Sequence, residues 1–466
     1  MRINADIFKQ YDIRGVYQKE FTSKDARRIG QAFGTYIQQR GVKEVTVGHD
    51  NRTSSGELYF QLIEGLVSTG CIVTEVGLTL TPIIDFSWYY LKSPATVMVT
   101  ASHSPVRYNG FKFSLRKTLI FGENLQLIRK MVEKGKFAKG KGERIQKPIN
   151  EYYVQNILKT IKPERKLNVV IDCGNGTGSI LAPQLLHQLG FSLTMFHSIS
   201  DGMFPYHDPY PQKVADYEDH LVKAIREKKA DVGIAFDGDC DRMGVFDEKG
   251  NFIENDKIIY LHALEILKEN PHASFVVNVA VSQGVIEAIQ QAGGTVHIWK
   301  TGPPYMLPKM KETDAKLGGE ISGHFAFADR YFGFDDGVYA ACRTLELISK
   351  TNKPISQMFN SIPHYFSTPE FRILTGGDEK KKFRVIERLA DELKKKSEFT
   401  VLDVDGLRVT TKDGWFLIRA SQTEPLVTGR IEAKSEKRLE ELKKFVQKRL
   451  EENEILLDWK HPISKH

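Results

Sequence analysis

The chain has 466 residues, of which 41% are hydrophobic and 27% charged, and its formal net charge is +7 at pH 7. This length predicts several domains. The short lysine runs at 380–382 and 394–396 lie among acidic residues, which is typical of solvated helix faces and argues against a nucleic-acid tract. No apolar stretch approaches the roughly 20 residues that span a bilayer, and no signal-peptide pattern opens the chain. Because the four cysteines have neither disulfide nor metal-ligand spacing, we expect a cytoplasmic protein without nucleic-acid or membrane partners.

A faint internal repeat organises the chain before His324. Each copy starts with a short β-branched run, continues into a segment of helical period that ends at glycine, and then enters a second strand. The first runs lie at residues 44–47, 168–171 and 275–277, the glycines are Gly70, Gly190 and Gly293 with Gly294, and the second strands lie at 71–76, 192–196 and 295–299. Strands that alternate with helices predict α/β units with parallel strands.

The third strand of each copy ends in a polar loop. Residues 96–99 lead into Ser102, residues 232–236 into Asp237, and residues 317–319 into Glu320. In open α/β sheets, functional residues gather at the carboxyl ends of strands. Equivalent loops from three repeated units are therefore expected to converge on one cleft.

Ser102 lies in the string Thr100-Ala101-Ser102-His103. A serine in a turn directly after a buried strand is expected to be exposed, rigidly held and flanked by free backbone N–H groups, so it can carry a phosphoryl group. The alternative is a turn serine with local backbone hydrogen bonds, which is the common role of serine in turns. The local sequence by itself favours that alternative.

Asp237, Asp239 and Asp241 alternate along one loop. Three carboxylates at this spacing place hard oxygen atoms around one point, as Mg²⁺ or Ca²⁺ requires. An EF-hand would place Glu248 at its twelfth position, but Arg242 stands where that loop needs glycine, and both flanks have the pattern of strands. A cluster of solvated turn aspartates is the weaker alternative to a metal site.

Two further loops offer polar groups suited to sugar phosphates. Glu320, Ser322 and His324 can bind sugar hydroxyls, and the string at residues 419–425 (Arg-Ala-Ser-Gln-Thr-Glu-Pro) resembles a phosphate cradle of one guanidinium, two hydroxyls and turn N–H groups. Each string is weak by itself because similar strings recur in ordinary loops.

Taken together and in this order, the loops resemble the α-D-phosphohexomutase superfamily over essentially the whole chain. The strings at residues 11–15 (Tyr-Asp-Ile-Arg-Gly), 172–178 (Asp-Cys-Gly-Asn-Gly-Thr-Gly) and 201–205 (Asp-Gly-Met-Phe-Pro) belong to the same pattern. Residues 332–337 (Phe-Gly-Phe-Asp-Asp-Gly) are most similar to bacterial phosphomannomutase/phosphoglucomutase. The phosphoglucosamine mutase branch typically has Gln where this chain has Ile321.

The resemblance implies an α/β fold: three related mixed-sheet α/β domains plus a C-terminal α+β domain similar to TATA-box-binding protein, around a central active-site cleft. The glycine- and lysine-containing stretch at 134–142 with Pro148 has the composition of a linker, residues 247–251 that of a turn, and the prolines at 363 and 369 mark a third boundary. The expected domains are residues 1–148 with the phosphoserine loop, 149–250 with the metal loop, 251–366 with the sugar loop and 367–466 with the phosphate loop.

The resemblance also implies roles for individual residues. Ser102 would be the phosphoserine and would hold Mg²⁺ together with Asp237, Asp239 and Asp241. The groups expected around the transferring phosphoryl group are Arg14, His103, Lys112 and Arg242, with Lys112 as the proton-transfer candidate. The residues expected to bind substrate are Tyr11, Gly302, Glu320, Ser322, His324, Arg419, Ser421, Gln422 and Thr423.

The implied activity is the interconversion of hexose 1-phosphate and hexose 6-phosphate, of mannose or glucose, through a 1,6-bisphosphate intermediate. The alternatives are a phosphoglucosamine mutase, a phosphatase-like hydrolase, and a weakened sugar-phosphate-binding homologue. The expected partners are small hexose phosphates, and the chain is expected to be a monomer, with a dimer as the alternative.

Two positions depart from the family pattern. Ser104 stands where asparagine is usual, and Pro303 replaces the histidine of a Thr-Gly-His segment. Proline has neither a titratable group nor a backbone N–H. Either His324 or another group is therefore expected to compensate, or activity or substrate preference has shifted.

Overall fold

The computed structural model describes residues 3–374, 381–420, 426–457 and 459. These residues form four sheets, each with its own helices. Within them, no helix is both long and apolar enough to cross a bilayer.

The first sheet combines parallel and antiparallel strands. Its strands are β1 (Ile13–Val16), β2 (Glu44–His49), β3 (Ile72–Leu78), β4 (Ala95–Val99), β5 (Tyr108–Leu115), β6 (Thr118–Leu119) and β7 (Glu143–Gln146). They lie in the order β1-β5-β4-β2-β3-β7, with β6 beside β5. The helices are α1 (Ser23–Gln38), α2 (Ser55–Ser68), α3 (Thr81–Tyr90) and α4 (Gly122–Lys134).

The second sheet has the strand order β12-β11-β10-β8-β9, where the strands are β8 (Asn168–Asp172), β9 (Ser192–Phe196), β10 (Val232–Phe236), β11 (Met243–Phe246) and β12 (Phe252–Ile253). Its helices are α5 (Asn150–Thr160), α6 (Ala182–Gln188) and α7 (Lys223–Lys228), the last preceded by a π-helical turn at Glu218–Val222. The expected turn at residues 247–251 joins β11 to β12 within this sheet.

The third sheet has four strands in the order β14-β13-β15-β16. These are β13 (Ser274–Asn278), β14 (Thr295–Trp299), β15 (Leu317–Gly319) and β16 (Phe325–Phe327). The helices are α8 (Asn255–Glu269), α9 (Gln283–Gln291), α10 (Pro303–Glu312) and α11 (Gly337–Ser349).

The internal repeat is confirmed by the topology. The orders β3-β2-β4-β5, β9-β8-β10-β11 and β14-β13-β15-β16 are the same arrangement, in which three parallel strands are followed by one antiparallel strand. The helix-ending glycines are also equivalent, because Gly70, Gly190 and Gly293 have φ of +93°, +92° and +93°. Residues that carry a side chain rarely adopt this left-handed backbone conformation, which explains why each copy of the repeat has glycine at this position.

A strand that the sequence did not predict lies between residues 134–142 and Pro148, which were expected to form a linker. Residues 143–146 form β7, which extends the first sheet in parallel beside β3. All four of its side chains are exposed. Because an exposed edge strand has no buried face, the sequence carries no alternation of apolar and polar residues that could reveal it.

The fourth domain has the expected α+β arrangement. Its strands are β17 (Phe366–Ser367), β18 (Phe371–Leu374), β19 (Thr400–Leu402), β20 (Leu407–Thr411), β21 (Gly414–Ala420) and β22 (Leu426–Ala433). They lie in the order β17-β22-β21-β20-β19, with β18 beside β22. The helices are α12 (Lys381–Leu393) and α13 (Glu436–Glu451). Along β21, Phe416 and Ile418 face a core shared with both helices. The alternate residues Trp415 and Leu417 pack against Val279 of the third domain.

Two contacts hold the domains around the site. A single apolar cluster joins α3 of the first domain to the second and third domains. Arg408 of β20 is buried, donates to the carbonyls of Val279 and Val281, and lies 3.8 Å from the Trp415 ring. The strands β4, β10, β15 and β21 are therefore parts of one packed scaffold.

Candidate active site

Ser102 lies in the turn after β4, with its backbone in the left-handed region at φ +51°. A non-glycine residue keeps this conformation only where its surroundings hold it, and such residues are common at functional sites. Its backbone N–H donates to Thr100 Oγ1 (2.9 Å). The local turn bonds expected of an ordinary serine are thus present, and the functional case depends on the side chain's other neighbours.

The expectation that Ser102 is exposed to solvent is wrong, because only 2% of its surface is accessible. The loop after β10 covers it: an added Cβ on Gly238 would lie 2.6 Å from the Ser102 carbonyl oxygen. Ser102 instead lines a partly open cavity of about 110 Å³. Tyr11, Arg14, Lys112, Asp241, Arg242 and His324 line the same cavity.

The three predicted aspartates lie together in the loop between β10 and β11, all buried. Asp237 Oδ2 accepts a hydrogen bond from Ser102 Oγ (2.8 Å), and Asp237 Oδ1 accepts one from the backbone N–H of Arg242 (3.1 Å). Lys112 Nζ lies 2.8 Å from Asp239 Oδ2 and 2.6 Å from Asp241 Oδ2. The serine, the lysine and the three carboxylates therefore form one connected group.

One oxygen each of Asp239 and Asp241 is left without a partner. Asp239 Oδ2 accepts from Thr81, Thr100 and Lys112, whereas Asp239 Oδ1 and Asp241 Oδ1 have no hydrogen-bond partner among the described residues. A buried carboxylate oxygen without a partner is unfavourable. Two such oxygens beside Asp237, with one ligand atom of each aspartate within 4.8 Å of the others, fit a divalent cation with oxygen ligands.

The EF-hand alternative is excluded by the geometry. Strands β10 and β11 pair antiparallel on either side of the loop. Both carboxylate oxygens of Glu248 accept hydrogen bonds from Ser356 of the third domain, so Glu248 is not a ligand in the aspartate loop.

The charges within this group differ strongly. Burial, together with the negative charges of Asp241 and Asp239, raises the pKa of Asp237. Burial would also raise the pKa of Asp241, but Lys112, His324 and Arg242 lower it well below its ordinary value. Burial would lower the pKa of Lys112, but Asp239 and Asp241 raise it. Lys112 is therefore held as an ammonium ion.

His103 contacts Ser102 Oγ, and Arg14 and Arg242 line the same cavity as Ser102. His103 Nδ1 lies 3.2 Å from Ser102 Oγ, and burial together with Arg242 and Arg14 lowers the pKa of His103, so the ring is neutral. Arg14 pairs with Asp12 and donates to Ser104 Oγ (2.9 Å). Arg242 Nε lies 3.8 Å from Asp241 Oδ1 without a hydrogen-bond partner among the described residues.

The predicted sugar loop is preorganised around Glu320. Its Oε1 accepts from the Gly302 N–H (2.6 Å) and its Oε2 from Ser322 Oγ (2.9 Å). His324 Nδ1 lies 3.0 Å from Asp335 Oδ2. Burial and Arg242 lower the pKa of His324, but Asp241 and Asp335 outweigh them, so that this pKa is raised.

Pro303 opens helix α10 and lines the cavity. At the first position of a helix the backbone N–H has no intrahelical acceptor, so proline disturbs no hydrogen bond there. The position supplies no titratable group, and His324 is the titratable histidine that lines the cavity.

Arg419 is the penultimate residue of β21 and pairs with Asp405 (2.9 Å). Asp405 also accepts from the Thr301 N–H (3.0 Å), and the Thr301 carbonyl accepts from the Tyr11 hydroxyl (3.2 Å). This chain of contacts connects the first, third and fourth domains at the cleft. The other predicted phosphate-binding residues, Ser421, Gln422 and Thr423, lie outside the described residues.

Sequence models of one family match four consecutive segments of the chain. The models describe phosphoglucomutase/phosphomannomutase alpha/beta/alpha domain I (residues 5–139), domain II (151–250), domain III (254–366) and the C-terminal domain (377–449). The chain belongs to the phosphoglucomutase/phosphomannomutase family.

Curated relatives match over nearly the full length of this family member. A phosphomannomutase/phosphoglucomutase of Pseudomonas aeruginosa is 40% identical over 94% of this chain and 94% of its own length. A phosphoglucomutase of Neisseria gonorrhoeae is 37% identical over 98% of this chain and 99% of its own length. A crystal structure of a phosphoglucomutase/phosphomannomutase family protein from Burkholderia thailandensis is 35% identical and superposes with a TM-score of 0.90, covering 96% of this chain and 98% of that one.

Sequence reasoning missed two residues that support this family site. Thr81 opens α3 and donates to Asp239 Oδ2 (2.6 Å). Arg52 is buried beside Asp50 (3.2 Å) and acts as a clamp on the loop that contains Ser102. Its guanidinium donates to the carbonyl oxygens of Ser102 (2.7 Å), Ser104 (2.6 Å), Pro105 (2.9 Å) and Tyr108 (3.1 Å). The string Asp50-Asn51-Arg52 after a strand end was the available signal, but arginine in a loop is common.

Arg52→Lys tests whether this clamp positions Ser102. An ammonium group cannot reproduce the planar fork of a guanidinium, so some carbonyls lose their donor, at about 1–3 kcal/mol for each unsatisfied group. We expect the free energy of unfolding to fall by about 2–4 kcal/mol. We also expect kcat to fall by roughly 10-fold or more, because small misplacements of a reacting group are costly, with KM nearly unchanged.

Arg129→Lys is the matched control. Arg129 lies on α4 of the same domain and pairs on the surface with Glu133 (2.9 Å), so its replacement is expected to change stability by no more than about 0.5 kcal/mol. Equal effects of the two substitutions on kcat would contradict a positioning role for Arg52.

Proposed function

We propose that this chain performs its reaction through a phosphoserine at Ser102. As a member of the phosphoglucomutase/phosphomannomutase family, the protein is an isomerase, a hexose phosphate mutase. The observation that carries the proposal is the 2.8 Å hydrogen bond from Ser102 Oγ to Asp237 within a buried group of three carboxylates. It fixes the hydroxyl at a point where a cation and three basic side chains can neutralise a phosphoryl group.

Asp237, Asp239 and Asp241 would hold Mg²⁺ together with the seryl oxygen or its phosphate. The two unpartnered oxygens of Asp239 and Asp241 support this assignment. Bound there, Mg²⁺ would neutralise charge on the equatorial phosphoryl oxygens, as phosphoryl transfer requires.

The basic groups around Ser102 have distinct roles in this proposal. Arg14 and Arg242 neutralise the oxygens of the phosphoryl group, and Arg242 Nε is the donor that lacks a partner among the described residues. Lys112, held as an ammonium ion by its two carboxylates, donates a proton to the seryl oxygen when the phosphoryl group leaves and regains one from the sugar hydroxyl that accepts the phosphoryl group. His103, being neutral, orients Ser102 Oγ without adding charge.

The remaining groups bind the rest of the sugar phosphate. The Glu320 carboxylate accepts hydrogen bonds from sugar hydroxyls, and the Ser322 hydroxyl donates to them or accepts from them. His324 and Tyr11 lie beside these two residues in the proposed binding site. Arg419 binds the phosphate that is not reacting, together with Gly302 and with Ser421, Gln422 and Thr423. The sugar receives the phosphoryl group from Ser102, turns round in the cleft as a hexose 1,6-bisphosphate, and returns its other phosphate to the serine.

The four cysteines are free and buried, which supports a location in the reducing cytoplasm.

Ser102→Ala is expected to lower kcat by roughly 10³-fold or more, because a covalent route without its nucleophile is lost. Intact-mass and peptide analysis should find one phosphate on the wild-type chain, located at Ser102. Ser104→Ala is the matched comparison, since Ser104 lies two residues away and contacts Arg14. This variant should keep the phosphate at Ser102. Phosphate found at Ser104, or near-native turnover by Ser102→Ala with bisphosphate present, would refute the proposal.

For the sugar, we propose mannose and glucose phosphates. The names of the relatives from Pseudomonas aeruginosa and Neisseria gonorrhoeae support this choice, as does Ile321 in the sugar loop. We expect kcat/KM for mannose 1-phosphate or glucose 1-phosphate to exceed that for glucosamine 1-phosphate by at least about 10-fold, or about 1.4 kcal/mol. A steady-state comparison of the three substrates measures this. Dominant turnover of glucosamine 1-phosphate would make the chain a phosphoglucosamine mutase, and release of inorganic phosphate at the rate of isomerisation would make it a hydrolase.

A further inference from the structure

A second group of potential metal ligands lies in the second domain, apart from the three aspartates. It consists of Asp172, His197, His207 and His220, and one ligand atom of each lies within 4.8 Å of every other. The four residues come from separate places in the sequence: the end of β8, the residue after β9, the loop that follows, and the π-helical turn. Only the folded domain brings them together.

The three histidine side chains converge on one oxygen atom of Asp172. Asp172 Oδ2 lies 2.9 Å from His197 Nδ1, 3.3 Å from His207 Nε2 and 2.6 Å from His220 Nε2. His207 Nε2 also lies 3.2 Å from His197 Nδ1. Zn²⁺ binds nitrogen and oxygen ligands at about 2.0–2.2 Å, so a tetrahedral site separates its ligands by about 3.3 Å. The four spacings given above lie within about 0.8 Å of that value, and the other two, from His220 to His197 and to His207, are at most 4.8 Å.

The outer contacts also match those of a metal site. His207 Nδ1 lies 2.8 Å from the carbonyl oxygen of Asp208, which can only accept, so Nδ1 carries the proton. In a neutral ring, His207 Nε2 then presents its lone pair to the carboxylate. Asp172 Oδ1 is fixed by the N–H of Gly174 (2.6 Å), leaving Oδ2 to face the histidines. Metal-binding histidines commonly donate their other N–H to a backbone carbonyl in this way.

The local backbone is shaped to present the histidines. His197 has φ +45°, a left-handed conformation that is uncommon for a residue with a side chain. His220 lies in the π-helical turn Glu218–Val222, and such turns are frequent at functional sites. Asp172 is fully buried, and the three histidine side chains are 5–18% exposed, so an ion can reach the site and then be enclosed.

We propose that Asp172, His197, His207 and His220 form a structural Zn²⁺ site. Four protein ligands leave no open coordination position, as in structural rather than catalytic zinc sites. Three imidazoles favour a transition metal over Mg²⁺, which prefers oxygen ligands. The site is therefore chemically distinct from the three aspartates, although it lies in the same domain.

The consequence of the site concerns residues 197–213, which we call the bridging segment. Within it, Ser200 accepts from Asn51 of the first domain (2.9 Å), and Gln212 donates to the Ser322 carbonyl of the sugar loop (2.6 Å). The Tyr210 ring lies 5.0 Å from the His103 ring. Zinc bound to His197 and His207 would fasten this segment to β8 and thereby fix its contacts beside Ser102.

The test measures zinc directly. Wild-type protein stripped with chelator and re-equilibrated with Zn²⁺ in excess Mg²⁺, at about pH 8 where free imidazole is neutral, should retain one tightly bound zinc per chain by elemental analysis. Binding should also raise the Tm. His220→Gln and His197→Gln should weaken zinc by more than the roughly 10–100-fold seen when an outer partner is lost. Glutamine keeps an N–H donor for Asp172, which favours folding of both variants.

His187→Gln, an exposed histidine on α6 of the same domain, is the matched control and should bind zinc like the wild type. Asp239→Asn should also keep its tight zinc, because it alters only the other site. Absence of tight zinc from the wild-type chain overturns the proposal whatever the variants do. So does wild-type affinity in both histidine variants, or loss of zinc in Asp239→Asn.

Discussion

The burial of Asp237, Asp239 and Asp241 at one point is the constraint around which the cleft is built. Three like charges out of water repel one another strongly. Specific hydrogen-bond and ion-pair partners offset this repulsion. Lys112 bonds two of the carboxylates, Thr81 and Thr100 hold one oxygen of Asp239, and Ser102 donates to Asp237. Two carboxylate oxygens, Asp239 Oδ1 and Asp241 Oδ1, still have no hydrogen-bond partner among the described residues. The site is thus organised to receive a cation beside the serine.

The repeated topology explains how residues from distant parts of the chain meet. In each of the three α/β domains the third parallel strand ends at the cleft, so β4 delivers Ser102, β10 delivers Asp237 and β15 delivers Glu320. The fourth domain completes the cleft from β21, which is buried on both faces between its own helices and the third domain. Rigid strand ends place the reacting groups, while loops supply their chemistry.

Much of this could be predicted from sequence because the signals are local. The strands at 192–196, 232–236 and 295–299 are short segments rich in apolar residues and bounded by turn residues, and the structure places them at the same bounds. The carboxylate loop was predicted from its spacing alone. The exposure of Ser102 was predicted wrongly because its cover comes from Gly238 in another domain.

Other features depend on tertiary structure and have no local signature. Strand β7 is exposed and lacks alternation. Arg52 acts on carbonyls of a loop about fifty residues away in sequence, four of them in all. The ligands Asp172, His197, His207 and His220 are separated by up to 48 residues, so no short motif reveals them. Long-range groups of this kind appear only once the fold has brought their members together.

The central claim is that the buried carboxylate loop binds a divalent cation beside Ser102. Anomalous diffraction from crystals grown with Mn²⁺, which shares the oxygen-ligand preference of Mg²⁺, tests it most directly. We predict an anomalous peak bonded to Asp239 Oδ1 and Asp241 Oδ1, with Asp237 and the Ser102 side chain completing the protein ligands. A loop that stays metal-free in saturating Mn²⁺, with Lys112 still bonded to both carboxylates, would contradict the account.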